Sequence, residues 1–530
     1  MVTALPGPPP DPGMPEWLGH CASAFPGRIA LIAGDERWSF RDLDLRAART
    51  ARQLATLGVA GGTRVALALR GGALFAVLTH ALARLGAVMV PLNVRLSRPE
   101  LAWQLTDSRA KVLIYDPAQA PLAAEAAQEL ADVLSIHPGP ERPSEAAPRS
   151  RSLAAAPEAR IPLRDRVDLS AVQGIIYTSA TSGRPKGVLL TYGNHWWNAI
   201  GSALRLGLDR EDRWLAPLPL YHIGGLAIVW RSVIYGIPMI IHEAFDPDAV
   251  NRDIDVAGVT MVSAVSTMLQ RVLDARGSRP FPPTLRCVLL GGGPASPALL
   301  EACRGRGVPV APTYGLTETA SQVATQVPAE AAASPGAVGK PLFPAEVRIA
   351  LDGRPVAAGE VGEIVVRGPT VMLGYADRPE ETRRALREGW LHTGDLGYLD
   401  REGDLHVVDR REDLIISGGE NIYPAEVESI LREHPALQDA AVIGLTDREW
   451  GQVAVAAVKV RPGFRTTEDA LKAFCGSRLA RYKIPARVWF VDDLPRSAAG
   501  KLIRRTLRER AATTLLGERG RTAADDERPG

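Results

Sequence analysis

Short apolar runs alternate with longer stretches of helical period along the first three quarters of the chain. Glu36–Phe40 reads as a strand leading into a turn at Arg41-Asp42. An Ala- and Leu-rich helical pattern then covers Leu43–Leu57, followed by a strand at Val65–Leu69, a helix at Phe75–Leu85 and strands at Ala87–Pro91 and Val112–Tyr115. The series resumes with Gly174–Tyr177, Met239–Ile241, Val259–Val262 and Cys287–Leu290. Continuous apolar runs of this length, spaced by helices, predict an α/β domain around mostly parallel, doubly covered sheets. From about Val347 the pattern becomes short strands with Gly turns, as in Gly362–Val366, which predicts a small β-rich subdomain. Beyond Val407–Arg410, helices at Ala425–Glu433 and Thr467–Leu479 flank strands at Ala440–Ile443 and Ala454–Val460. That predicts a compact α+β C-terminal domain of usual size.

These breaks predict a disordered Pro/Gly-rich leader over 1–14, a large N-terminal domain over 15–409, a C-terminal domain over 410–512 and a disordered tail over 513–530. Residues 138–166, rich in Pro, Ala, Ser and Arg, are expected to form a flexible insertion. The arginine-rich stretch Arg504–Arg521 reads as a solvated helix plus tail.

Composition narrows the function. At 530 residues the chain needs at least two domains, and 46% hydrophobic with 23% charged residues is the make-up of a soluble globular protein. A net charge of +2 without a basic stripe argues against nucleic acid as a partner. The longest apolar zone, Leu215–Ile241, is broken by Pro217, Pro219, Gly224, Gly225 and Pro238, so no stable membrane insertion is expected. Four scattered cysteines without metal-type spacing, and no signal-peptide pattern, point to reduced thiols and a cytoplasmic protein. A homo-oligomeric state is left open.

The candidate chemistry centres on Tyr177–Gly187. Thr178, Ser179, Thr181 and Ser182 supply hydroxyls, Gly183 and Gly187 bare backbone, and Lys186 a positive charge. Such a loop is either a phosphate cradle or a polar surface turn. It is not a Walker A loop, because Pro185 precedes the lysine and Gly187 follows it. Downstream lie His222 in Leu218–Gly225, the glycines Gly291, Gly292 and Gly293, and Thr313–Glu318 with a carboxylate able to hold magnesium. Trp390–Asp395, Asp409-Arg410, Ser417–Pro424 and Pro495–Lys501 complete the series.

In this order, across about residues 15–512, the motifs resemble those of the acyl-adenylate-forming superfamily, which includes acyl-CoA synthetases, peptide-synthetase adenylation domains and luciferases. The resemblance implies an AMP-forming acid–thiol ligase, using ATP, Mg²⁺ and coenzyme A on a small-molecule carboxylic acid. It implies that Thr178 to Lys186 grip the β- and γ-phosphates, that Thr317 touches the α-phosphate, and that Glu318 serves the metal. Gly291–Gly293 and Tyr314 would frame adenine, and Asp395, assisted by Arg410, would hold the ribose. Lys501 would bridge the acid and the α-phosphate, Glu412 would be the hinge of a small mobile C-terminal domain, Gly418 and Gly419 would line the pantetheine path, and His222 would gate or position the acyl carboxylate. The sequence departs from the family pattern at Ala180, where Gly is usual; if that position needs φ > 0, alanine costs about 1 kcal/mol or more.

Gly193–Trp197, Arg213–Leu215, Arg231–Gly236 and Ser263–Leu269 are most similar to the o-succinylbenzoate–CoA ligase branch, which serves menaquinone biosynthesis. On that resemblance Arg231, His195 and Ser263 are candidate substrate residues. Arg231 is the only formally charged residue between Arg213 and Glu243. A buried guanidinium needs an anion, and its planar fork suits a second, unreacted carboxylate on the acid. The alternatives are a protein acid or solvent for Arg231, helix-start packing for His195, and for the chain another aryl- or medium-chain acyl-CoA ligase or an adenylation enzyme feeding a carrier protein.

Overall fold

The computed structural model describes residues 13–128, 133–139, 150–178, 185–293, 295, 297–331, 334, 336–351, 353–409, 414–495, 502, 504 and 506–514. Two large sheets build the N-terminal part. One runs, in spatial order, Gly374–Tyr375, Lys186–Thr191, Val172–Thr178, Val88–Pro91, Arg64–Ala68, Val112–Tyr115, Leu134–His137 and Arg151–Ser152. The other runs Lys340–Pro341, Ser321–Thr325, Val310–Leu316, Cys287–Leu290, Met261–Ala264, Trp214–Ala216, Met239–Ile241, Ile29–Ala33 and Glu36–Ser39. Their central strands are parallel, as expected where helices cover both faces.

The two-residue period of the strands sorts their side chains between layers. Val65 and Leu67 of one sheet, with Trp214, Ala216, Met239 and Ile241 of the other, enter one shared core with the helices Phe40–Thr56, Ala73–Leu85 and Ile223–Tyr235. Their neighbours Ala66 and Ala68, or Leu215 and Ile240, face separate outer cores. Alternate residues of one strand thus hold different layers together.

A smaller sheet is built on Glu346–Leu351, Gly362–Arg367 and Trp390–Leu399. The C-terminal domain has its own sheet, centred on the paired strands Leu437–Asp447 and Gly451–Val460. Helices Pro424–Arg432 and Glu468–Gly476 bury Val427, Leu431, Leu471 and Cys475 on one face of it. The fold is therefore mixed α/β, a large N-terminal domain of layered sheets with a separate α+β C-terminal domain.

Three expectations need correction. The turn at Arg41-Asp42 is the first turn of the helix Phe40–Thr56, because Ser39 and Asp42 form a reciprocal capping box. Of the expected flexible insertion, 140–149 lies outside the described residues, but 150–166 is pinned to the core. Leu153 and Ala156 are buried there, and Gln53 and Thr56 donate to the carbonyls of Ala156 and Pro157. The basic C-terminal helix is not solvated all round either. Leu507 and Ala511 bury against Ala441 and Val455, and Arg504 pairs with Glu428. Most of the expected leader (1–12) and tail (515–530) lies outside the described residues; Met14 pairs with Val167.

All four cysteines are buried, and burial raises their thiols, Cys21 and Cys287 to about 12. Among the described residues no helix is long and apolar enough to cross a membrane.

His80 and His195 flank Trp230 in the shared core, with ring centroids 5.4 and 5.7 Å away. Burial, with Arg84 near one and Arg231 near the other, holds both imidazoles down to about 3. Unfolded histidines titrate near 6.5, so the unfolded chain binds more protons below that pH. Their contribution is complete above pH 6.5 and shrinks as pH falls toward 3. At pH 5 each should have cost about 2 kcal/mol of stability. Denaturant unfolding of His80→Phe should show a pH 7-to-5 decline smaller by that amount; an unaltered decline would place the His80 proton elsewhere.

Candidate active site

The parallel strands Met261–Ala264, Cys287–Leu290 and Val310–Leu316 end side by side, and their C-terminal extensions face one cavity of about 260 Å³. Ligands of open α/β sheets bind at this edge, where the strand ends leave backbone groups and loops. Ser263, Gly291, Gly292, Thr317 and Glu318 line it from these strands. Thr178 lines it from the neighbouring sheet, and Asp395 from the third. His222 caps the helix Ile223–Tyr235 on another wall. Gly225 in that first turn is required, since a Cβ there would sit 2.4 Å from the Pro219 carbonyl oxygen.

Two turns into the same helix, Arg231 reaches the cavity while only 2% exposed. Its Nη2 donates to Asn198 Oδ1 at 2.8 Å and to Gln322 Oε1 at 2.7 Å, both neutral amides. Its guanidinium lies 5.0 Å from the Trp214 ring centre, and Nε has no partner among the described residues. No carboxylate among the described residues forms an ion pair with it. Burial lowers its pKa, the cost of holding charge away from water. A cation so held can pair favourably with an anion supplied from the cavity. Asn198 is placed by the helix Tyr192–Leu206, whose start is fixed by a Thr191–Asn194 capping box, and it also donates to the carbonyls of Thr319 and Gln322.

Opposite, Tyr314 donates to Asp395 Oδ2 at 2.7 Å, so the tyrosine aims the buried carboxylate. Tyr375 donates to Glu318 Oε1 at 2.9 Å. A Cβ on Gly291 would come within 2.7 Å of Thr313, and one on Gly293 within 2.9 Å of Ile416, so this stretch packs as bare backbone.

The C-terminal domain closes the cavity with the hairpin of Ile415–Ser417 and Glu420–Ile422. Gly418 and Gly419, with φ of 58° and 87°, form its turn and line the cavity, and Gly419 lies against Val265. Glu420, 2% exposed, enters a ring of N-terminal side chains. It accepts from Asn93 at 3.0 Å and from Tyr221 and Arg95 at 3.3 Å, and it pairs with His222 at 3.2 Å. Burial alone would raise its carboxyl, but His222 and Arg95 hold it below the usual range. Beside it, Lys483 bridges Glu100 of the large domain and Glu426 of its own.

Residues 18–376 match the AMP-binding enzyme family and residues 426–501 the AMP-binding enzyme C-terminal domain. The chain belongs to the AMP-binding enzymes. It is 50% identical over 495 residues to a 2-succinylbenzoate–CoA ligase of Geobacillus kaustophilus, covering 93% of this chain and 97% of that one. A double mutant of o-succinylbenzoate CoA synthetase from Bacillus subtilis, bound with its product analogue, superposes with a TM-score of 0.87 at 41% identity, covering 94% of this chain and 98% of that one. The same synthetase in complex with its acyl-adenylate intermediate gives 0.71 at 42% identity, covering 93% and 98%.

Of the residues expected at an AMP-binding site, Thr178, His222, Arg231, Ser263, Gly291, Gly292, Thr317, Glu318, Asp395, Gly418 and Gly419 converge on the cavity. Gly293, Tyr314 and Lys186 do not line it. His195 does not reach it; 3% exposed, it bonds to Gln173 at 3.0 Å and packs on Trp230. Ser263 is held by Trp214, whose Nε1 donates to it at 2.9 Å. Ser179, Ala180, Thr181, Ser182, Gly183, Arg410, Glu412 and Lys501 lie outside the described residues. Sequence reading missed Asn198, Gln322, Asn93, Arg95 and Lys483. Polar residues scattered over several elements carry no local pattern; only their buried partners reveal them.

Glu420→Gln keeps the side-chain shape and removes the charge that Arg95 and His222 favour. It should weaken domain closure by about 1–3 kcal/mol, read as a wider distance distribution between probes on the two domains. Since the carboxyl is depressed, the wild-type contact should be complete above the ordinary carboxylate range and lost as pH falls below it. An unaltered closed population in the variant would remove Glu420 from this role.

Proposed function

We propose that the chain is a 2-succinylbenzoate–CoA ligase of menaquinone biosynthesis, converting 2-succinylbenzoate, ATP and CoA into 2-succinylbenzoyl-CoA, AMP and pyrophosphate. The observation that carries the choice of acid is Arg231, a buried cation with neutral partners at the cavity wall. 2-Succinylbenzoate has two carboxylates, one to be activated and one that stays charged for this guanidinium. An acid without the second carboxylate would leave the cation unmatched. The names of the relatives agree with this reading.

A carboxylate is a poor electrophile for a thiol, so it first attacks the ATP α-phosphorus and expels pyrophosphate; the thiolate then displaces AMP from the acyl-AMP. Thr178, Lys186 and Thr317 are suited to the phosphates, Gly291–Gly293 to the flat adenine face, and Asp395, aimed by Tyr314, to the ribose hydroxyls. Lys501 is assigned to the α-phosphate and Arg410 to the ribose, both outside the described residues. Among the described residues no cluster of three or more acidic, His or Cys side chains could hold a metal alone. That fits Mg²⁺, which takes one or two carboxylates plus phosphate oxygens and water, with Glu318 as the protein ligand. Bound there, the ion would neutralise phosphate charge during the first step.

His222, tied to Glu420 in the closed arrangement, separates the acid from the domain interface instead of acting as a base. With Gly418-Gly419 at the cavity, this arrangement is suited to admitting pantetheine, and the higher similarity to the product-analogue complex supports that assignment. Adenylation then needs the C-terminal domain, from 410 onward, to turn about Glu412 and bring Lys501 in.

Arg231→Ala should lower kcat/KM for 2-succinylbenzoate by about 2–5 kcal/mol, and far less for an analogue with hydrogen in place of the ring carboxylate. Gln322→Glu should imitate that loss by giving Arg231 an internal carboxylate. Equal losses on both acids would return the substrate to an unspecified acid. Lys501→Ala should nearly abolish acyl-AMP formation, by ~3–4 kcal/mol of barrier, and spare thioester formation from supplied acyl-AMP. Equal damage to both half-reactions would refute that division.

A further inference from the structure

The segment between Pro369 and Ala376 crosses from the Glu318 arm to the strand that leaves the Thr178–Lys186 loop. Met372 N donates to the Glu318 carbonyl at 2.8 Å, Leu373 N to Leu189 O at 3.0 Å, and Ala376 N to Gly187 O at 2.8 Å. Asn194 holds the start of the segment through the carbonyls of Pro369 and Val371. In the paired strands Tyr375 stands opposite Val188. Its hydroxyl donates to Glu318 Oε1 at 2.9 Å, while the Lys186 ammonium lies 4.9 Å from its ring centre.

One side chain therefore touches a cation and an anion on arms far apart in sequence. The ring face favours the ammonium by its quadrupole, and the hydroxyl gives the carboxylate a charge-assisted hydrogen bond. Lys186 and Glu318 have opposite charges and both contact Tyr375, the carboxylate at the cavity wall and the ammonium over the ring. A tyrosine that touches both fixes the position of one side chain relative to the other. We propose that Tyr375 is a positioning residue that registers the phosphate-binding lysine against the metal-binding carboxylate, so that Mg²⁺ and the ATP phosphates are received in one geometry. The inference rests on the reading of this cavity as an ATP–Mg²⁺ site.

The two contacts separate chemically. Tyr375→Phe keeps the ring beneath Lys186 and removes only the hydroxyl; Tyr375→Leu removes both. Calorimetric binding of ATP to the full-length protein, without acid or CoA, should be compared with chelator and across a Mg²⁺ titration. For Tyr375→Phe, ATP binding in chelator should match wild type, and the Mg²⁺ concentration for half-maximal enhancement should rise about tenfold, the effect of losing one charge-assisted hydrogen bond. For Tyr375→Leu, binding in chelator should weaken several-fold as well. Thioester formation from supplied acyl-AMP and the thermal midpoint of Tyr375→Phe should stay at wild-type values, as a merely structural tyrosine would not require. A wild-type Mg²⁺ titration for Tyr375→Phe, or equal losses in both half-reactions, overturns the role of Tyr375. Absence of Mg²⁺-dependent ATP binding in the wild-type protein overturns the site reading itself.

Discussion

A guanidinium in a nearly dry interior, held by amides and not by acids, is the constraint around which this cavity is built. Arg231 cannot be stabilised by packing, and Trp214, Asn198 and Gln322 only orient it. Helix Ile223–Tyr235 must therefore point its middle at the cavity, with its first turn pressed on Pro219 through Gly225. Helix Tyr192–Leu206 must approach closely enough for Asn198 to reach the same charge. The sheet end that supplies Gln322 is fixed by the antiparallel pairing of Ser321–Thr325 with Val310–Leu316. Three elements thus converge on a charge that has only neutral hydrogen-bond partners among the described residues.

The remainder of the site follows a division of labour between backbone and side chain. Strand ends and glycines provide flat or concave backbone surfaces, while three polar cavity side chains are each held by an aromatic neighbour: Asp395 by Tyr314, Glu318 by Tyr375, Ser263 by Trp214. Such support shells restrict rotamers before any ligand arrives.

Much of this was legible in the chain. Continuous apolar runs gave the parallel strands because both faces are buried, and the ordered motifs located Thr178, Glu318, Asp395 and Gly418-Gly419. What stayed hidden has physical reasons. His195 sits in a motif that resembles substrate-binding residues, yet its ring fills a gap between Gln173 and Trp230, and sequence cannot distinguish an inward core face from a cavity face one helical turn away. Residues 150–166 look unstructured because their composition is polar and small. They are fixed by carbonyls that accept from Gln53 and Thr56 about a hundred positions earlier. Phe40 looked like the end of a strand, yet it opens the helix that the Ser39 hydroxyl caps.

Lys483 has a consequence for motion. It sits between Glu100 and Glu426, and only Glu100 belongs to the opposite domain. If the domains part, the lysine keeps Glu426, and Glu100 keeps the backbone and hydroxyl of Ser97 in its own capping box. Neither charge is stranded in the separated state. The interface can bury ions without acting as a clasp, because each half carries its own solvent substitute. At this contact, parting the two halves would therefore leave no buried ion without a partner.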